Sequence, residues 1–414
     1  VKKTTAQATN KITGMLSGVQ NAVAAGAVAS LAGMGIAIAA SAAAAVKFQN
    51  DFAAVKKTMS DVESPEVFQK IADDLLKLAT QIPVTTEELT KIAAVGGQLG
   101  VGADDISEFT EVVAKLGGAT NMSFEQAATS MARFLNVTNE SISSIDQFAS
   151  VLVELGNNTA AQEGEILMLA QRFGAVGDLA GLSTEEILAF SAAMRETGQQ
   201  SQAGATALNR LFRQLRDSAV LGGEELSTFA EVAGTDIDTF RRLIEDDVGE
   251  AAAIFLSGIN SMNASGQSVT GTLDDLELGT ARISQAILSL AANEEGLAEA
   301  RQRAKDEAIE QNALNEEAAE KFGTVTMQAA QLKTTLSAAA ATLGEVFIPA
   351  LEAILVPLND FARGLFNVAQ GLREAPEAIA AFALGLLGLT GALGSTLLKG
   401  TFLGKMLVNI AKAL

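Results

Sequence analysis

Helix-start signals recur along the first two-thirds of this chain, and glycines interrupt the segments that follow them. Ser64-Pro65-Glu66 sets an N-cap residue before a proline at the first helical position. Thr85-Thr86-Glu87-Glu88, Ser123-Phe124-Glu125-Gln126 and Ser183-Thr184-Glu185-Glu186 have the spacing of a capping box, in which a hydroxyl and a carboxylate or amide satisfy each other's end of the first turn. Glycines then fall at Gly96, Gly97, Gly100, Gly117, Gly118, Gly156, Gly198, Gly222 and Gly223, and the reading is that they end helices by accepting the left-handed cap. Helices of about 10–16 residues joined by short turns make folded hairpins, not one continuous rod.

Composition supports an all-α fold. Apolar residues make up 48% of the chain, yet 19 Phe are the only aromatics, so Ala, Leu, Val and Ile carry the apolar content. Ala and Leu favour helix, and five prolines interrupt little. The expected architecture is a multi-helix hairpin assembly with apolar N- and C-terminal helices, forming an oligomer. Its segments are 1–47, Ala-rich and apolar; 48–285, a core of short helices; 286–345, a charged helical stretch; and 346–414, apolar and membrane-active-like. Beginning at Val1 and ending at Leu414, the chain reads as a piece of something longer.

The chain holds no His, Cys, Tyr or Trp. That removes thiol nucleophiles, thiolate metal sites and imidazole bases. The acidic runs Asp246-Asp247 and Asp274-Asp275-Leu276-Glu277 lack the spacing of a calcium loop, and charge at helix N-termini accounts for them more simply. Gly96-Gly97-Gln98-Leu99-Gly100 lacks the Lys-Ser/Thr ending of a phosphate-binding loop. Neither a cofactor, a metal nor a catalytic residue is expected, and the chain is not read as an enzyme.

Charge is unevenly spread. The net charge is −20, with +5 in residues 1–57 and +2 in residues 377–414, which leaves −27 between them. An acidic middle repels nucleic acid, so no specific nucleic-acid binding is expected. The basic ends favour an anionic membrane surface. Two apolar segments lie at those ends. In the first, Ala22, Gly26 and Ser30 recur every fourth residue beside Leu31, Ile36 and Ile38, a small-residue face along which helices approach closely. In the second, Phe382, Leu386, Leu387, Gly388 and Leu393 lie in an uncharged run followed by Lys399, Lys405 and Lys412. Both are candidate membrane or oligomer contacts. Each reads either as a buried helix in a multimer or as a segment that enters a membrane.

The core carries an internal repeat. Ala94-Val95-Gly96 and Gly100 recur 81 residues later as Ala175-Val176-Gly177 and Gly181, and Phe109 recurs as Phe190. Two copies of one helix–turn–helix unit follow from this, the alternative being chance likeness in Ala/Gly-rich sequence. Farther on, Arg301, Arg303, Lys305, Asp306, Glu307 and Glu310 give a solvated helix face on which Arg303 and Glu307 are spaced to pair. The apolar residues of 286–345 show no clean heptad, which speaks against a strict coiled coil.

Several segments, in order, resemble the core of bacteriophage tail tape-measure proteins. They are Ile145-Asp146-Gln147-Phe148-Ala149, Leu155-Gly156-Asn157-Asn158-Thr159, Phe173-Gly174-Ala175-Val176, Gly181-Leu182-Ser183-Thr184-Glu185-Glu186 and Gln202-Ala203-Gly204-Ala205-Thr206-Ala207-Leu208. Leu343-Gly344-Glu345 with Pro349-Ala350-Leu351 is also typical, so the likeness covers roughly 48–365. It implies a structural protein in the tail-tube lumen that sets tail length during assembly. Released ahead of DNA, it passes to the host cell envelope and helps the genome across the membrane. The implied partners are further copies of itself as a trimer or hexamer, the tail tube protein, tail-tip or baseplate proteins, tail assembly chaperones and the host membrane during ejection. One departure stands out: a ruler needs long continuous helix at about 1.5 Å per residue, and this core is broken too often. Either the ruler lies mostly elsewhere or the core refolds when extended. A reading from a different class is a pore-forming or membrane-translocated effector with the two apolar segments as its working parts.

Overall fold

The computed structural model describes residues 27–59, 62, 64–345 and 363, with side chains from residue 40 onward. The chain divides into two compact units, Val1–Gly344 and Glu345–Leu414, and the fold below is that of the first. Among the described residues there are helices and no strands, so the fold is all-α. The apolar C-terminal segment lies outside the described residues, as does residue 26.

The long helix α1 (Ala27–Thr58) packs on α3 (Thr86–Gln98), and α2 (Pro65–Leu78) lies between them in sequence. Next come α4 (Ile106–Ala119), α5 (Phe124–Thr138), α6 (Ile145–Asn158), α7 (Glu163–Ala180), α8 (Thr184–Glu196) and α9 (Ser201–Leu221). They stack as two layers. Helices α3, α5, α7 and α9 lie side by side in one, and α4, α6 and α8 form the other. Side-chain chemistry marks the start of some of them, whereas Ser64, expected to cap α2, makes no side-chain cap bond. Thr85 with Glu88, and Ser123 with Gln126, close complete capping boxes.

The stack repeats in steps of about 40 residues. Phe109, Phe148 and Phe190 take equivalent places in α4, α6 and α8, and Phe134, Phe173 and Phe212 do so in α5, α7 and α9; all six are buried. Phe134 meets Phe148 edge-on at 6.3 Å, and Phe190 meets Phe212 edge-on at 5.0 Å. The 81-residue offset in the sequence is therefore two steps of a shorter repeat, with residues 145–180 supplying the copy between. The turns repeat as well. Val101, Glu140 and Leu182 each donate a backbone N–H to the carbonyl five residues earlier (Gly96, Leu135, Gly177) at 3.0 Å. The residue just before each donor has left-handed backbone, Gly100, Asn139 or Gly181.

Not every glycine expected to stop a helix does so. Gly100, Gly198, Gly222 and Gly223 have positive φ and end or turn the chain. Gly96, Gly97, Gly117, Gly118 and Gly156 lie within helices, where they make room for neighbours. A Cβ on Gly96 would come within 2.8 Å of Ile106 and Phe109, and one on Gly118 within 2.6 Å of the Phe322 ring.

Past α9 the chain turns back. Helices α10 (Gly223–Val232), α11 (Ile237–Asp246), α12 (Val248–Ala264) and α13 (Val269–Asp275) close the end of the stack around Phe229, Phe240 and Phe255. Helix α14 (Ala281–Ala292) packs on α9 and α12. Helix α15 (Glu294–Glu310) then crosses α8 and α6, and α16 (Ala313–Phe322) crosses α6 and α4. Last, α17 (Val325–Glu345) returns to the start, where Gln331 donates to the Thr80 and Gln81 carbonyls at 3.3 and 2.9 Å. This return limb covers the α4–α6–α8 layer in the reverse of its chain order.

Two glycines give opposite expectations. A Cβ on Gly258 would collide with the Val232 backbone carbonyl, whereas Gly271 faces open space. Gly258→Ala should lower stability by about 1–3 kcal/mol, and Gly271→Ala should raise it by about 0.5–1 kcal/mol. Urea unfolding followed by circular dichroism checks both signs.

Candidate functional site

Of the candidate contact residues, Gly26, Phe382, Leu386, Leu387, Gly388 and Leu393 lie outside the described residues. Ser30, Leu31, Ile36 and Ile38 are on α1, and only their helical backbone is described. No described helix is long and apolar enough to cross a membrane.

What the structure brings together instead is a charged seam under the return limb. Its centre is Arg301 of α15, which is 6% exposed. The guanidinium donates to Glu186 Oε1 of α8 at 2.8 Å, to Glu250 Oε2 of α12 at 2.6 Å and to Asp247 Oδ1 at 3.4 Å. It also lies over the Phe190 ring at 5.9 Å, with Nε lacking a hydrogen-bond partner. Burial alone would lower the Arg301 pKa, but hydrogen bonds and charge from Glu186 and Glu250 outweigh it and raise the value. Lys305, one turn on, reaches Glu186 at 3.4 Å. Asp247 also accepts from the Glu250 N–H at 2.8 Å and so caps α12, the N-terminal role expected for this acidic run.

The solvated face expected for α15 is thus corrected at its most important residue. Arg301 falls on the stripe with Leu297, Ala300 and Ala304, all buried, and an arginine in that register was the available signal. The expected Arg303–Glu307 pair does not form. Arg303 binds Glu154 of α6 at 3.0 Å, and Glu307 accepts from the Asn312 and Ala313 N–H groups at 2.6 and 2.7 Å, capping α16. Glu186 departs from its expected partner too. Ser183 accepts from the Glu186 N–H at 3.4 Å, but the carboxylate that would complete the capping box is turned to Arg301.

Polar contacts continue along the seam. Lys115 Nζ donates to Asn315 Oδ1 at 3.0 Å, and Asn157 Nδ2 donates to Glu317 Oε2 at 3.3 Å. Two carboxyls here sit badly. Burial raises the pKa of Asp146, with Glu111 and Glu307 adding to the rise against the pull of Lys115. Burial likewise raises Glu163, near Glu317. The bonded groups of the seam join helices or cap them. Among the described residues no three acidic side chains converge as a metal site.

The block from Gln200 to Arg210 opens α9 and serves packing. A Cβ on Gly204 would come within 2.6 Å of Met194 and 3.0 Å of Leu169, so its absence lets α9 close on α8 and α7. Ala205, Ala207 and Leu208 are buried. Asn209 donates to the Arg172 carbonyl at 3.2 Å, and Arg210 pairs with Glu277.

The family model described as phage-related minor tail protein matches residues 72–293, more than half of the chain. The match ends where α15 begins, so Arg301 and the seam-forming helices of the return limb follow it. The probable tape measure protein of Halomonas phage phiHAP-1 is 23% identical over 369 residues, covering 84% of this chain and 41% of that protein. The chain therefore spans about two-fifths of the length of this relative.

Replacing Arg301 with Met leaves Glu186 buried beside only the more distant Lys305, and should cost about 3 kcal/mol of stability. The Arg301→Met, Glu186→Met double variant should recover part of that loss in urea unfolding. Asp146→Asn should be more stable than the parent at pH 7, because the raised folded-state pKa means ionisation opposes folding there. That advantage should shrink as falling pH protonates the parent carboxyl.

Proposed function

Because this chain belongs to the phage-related minor tail protein family, structural components of the phage tail and not enzymes, we propose that it is the folded core of a tape-measure protein. In this reading the whole protein occupies the tail-tube lumen and sets tail length during assembly. It leaves ahead of DNA and helps the genome across the host membrane. The tail tube protein surrounds it, tail-tip or baseplate proteins anchor it, and tail assembly chaperones hold it beforehand. The acidic charge of the core keeps it from clinging to the DNA that follows.

One observation carries the division of labour. The longest described helix, α1, has 32 residues, and each described helix after it is shorter and turns back into the stack. Counting tail length needs extended helix, about 1.5 Å for each residue. The hairpin core therefore travels as a folded body while other parts of the longer protein measure. The seam supports this reading, since buried ionic contacts tie the return limb to the hairpins.

The test uses virions carrying a 20-residue helix-forming insert between Gly222 and Gly223. Tail length should be unchanged, and the chain should be present before ejection and gone from emptied tails. Tails longer by about 30 Å, or emptied tails that retain the chain, would overturn the proposal.

A further inference from the structure

The layer of hairpin helices that the return limb leaves uncovered carries arginines without partners. Arg133 of α5, Arg172 of α7 and Arg213 of α9 are exposed, and among the described residues none of the three forms an ion pair. Elsewhere the fold supplies carboxylates: Arg195 pairs with Glu165, Arg210 with Glu277 and Arg303 with Glu154. Acidic residues outnumber basic ones by 49 to 29, so a shortage of carboxylates does not explain the row. Asp217, four residues after Arg213, is the nearest acid along α9 and likewise forms no ion pair.

Neighbouring hairpins hold the row in place. Arg133 precedes Phe134, Arg172 precedes Phe173 and Arg213 follows Phe212, and all three rings are buried. Side-chain amides stitch the helices together above those rings. Gln171 Nε2 donates to the Ser130 carbonyl at 3.1 Å, and Asn209 Nδ2 donates to the Arg172 carbonyl at 3.2 Å. Helices α5, α7 and α9 are corresponding halves of successive hairpins and run in one direction. Counted from the two amide bonds at about 1.5 Å per residue, the three arginines lie within about 6 Å of one another along the helix axes. They therefore form a row across three helices that pack about 8–10 Å apart. On α7 the row is flanked by Met168 and Leu179, which are 51% and 64% exposed.

We propose that this face docks an acidic amphipathic helix of another protein, laid across α5, α7 and α9. Seven residues of helix span about 10.5 Å, close to the separation of packed helices. Carboxylates at every seventh position then come opposite Arg133, Arg172 and Arg213 in turn. Each guanidinium fork can take a carboxylate through two hydrogen bonds, and apolar residues beside the carboxylates cover Met168 and Leu179. Arginine and methionine are both enriched at protein–protein interfaces. A nucleic-acid backbone offers nothing apolar to those two side chains, and a long polyanion would run beyond the row onto a chain of net charge −20. A short helix stays within it. The inference concerns the chemistry of a partner and holds whether or not the chain takes part in setting tail length.

The test uses the whole chain and a designed helical peptide with glutamate at every seventh position and leucine beside each. By fluorescence anisotropy the parent should bind it about tenfold more tightly than the Arg133→Gln, Arg172→Gln, Arg213→Gln triple variant does, with circular dichroism confirming that the variant is folded. A Lys70→Gln, Lys77→Gln, Lys333→Gln chain loses the same charge from other exposed positions and should bind as the parent does. Leu179→Ser should also weaken binding, which a purely ionic contact would not show. Equal binding by the two triple variants, no binding by the parent, or equal binding of a peptide with glutamine in place of glutamate would each overturn the proposal. So would binding of a single-stranded oligonucleotide or of anionic vesicles as tightly as the peptide, which would make the row a general polyanion site.

Discussion

The structure depends on one packing event carried out six times. A phenylalanine from each of α4 to α9 is buried, at one equivalent place in α4, α6 and α8 and another in α5, α7 and α9, and all of these rings but that of Phe109 meet another of the set. A hairpin built mostly of alanine and leucine has a thin apolar face and cannot bury it alone. Each buried ring brings a large apolar area that reaches the next pair of helices. The glycines inside helices serve the same purpose from the other side. Gly96 admits Ile106 and Phe109, Gly177 admits Ile187, and Gly204 admits Met194 and Leu169. Large side chains and missing ones together set the spacing of the layers.

The return limb is joined by a different kind of contact. Most of the apolar residues that α15, α16 and α17 bury are alanine, with Leu297 and Leu314, and the distinguishing interactions are ionic. Arg301 gathers carboxylates from α8 and α12, which lie far apart in sequence. Such a buried cluster is weak evidence for high stability, because desolvation offsets much of the attraction. It is strong evidence for a fixed position, because a shift of α15 by one turn would put Leu297 or Lys305 in the place of Arg301, and neither can reach Glu186, Asp247 and Glu250 with a fork of donors. The ring of Phe322, seated over Gly118, makes a second reference point farther along the limb.

Much of the fold was legible in the sequence because it is written in local chemistry. The caps at Thr85 and Ser123 depend on residues three apart, and the structure forms them as spaced. The repeat was legible only at its 81-residue interval. The middle copy has Leu135 and Asn139 where its neighbours have glycines, so the pattern of Gly96-Gly100 and Gly177-Gly181 skips over it. Contacts between distant segments were the part not legible. Arg301, Arg303, Glu307 and Glu186 looked like residues of exposed helix faces or local caps, and each was redirected by a helix that sequence spacing alone could not place. The candidate apolar contacts at both ends belong to residues whose side chains are not described.

The regular spacing of the hairpins has a mechanical consequence. From Phe109 to Phe148 is 39 residues, and from Phe148 to Phe190 is 42. Drawn lengthwise through a narrow opening, such a molecule would yield in a staircase, each tread releasing roughly 130–150 Å of extended chain. The limb bound across the treads acts as a latch on them, so a pull from its far end must lift it before the staircase can begin to run.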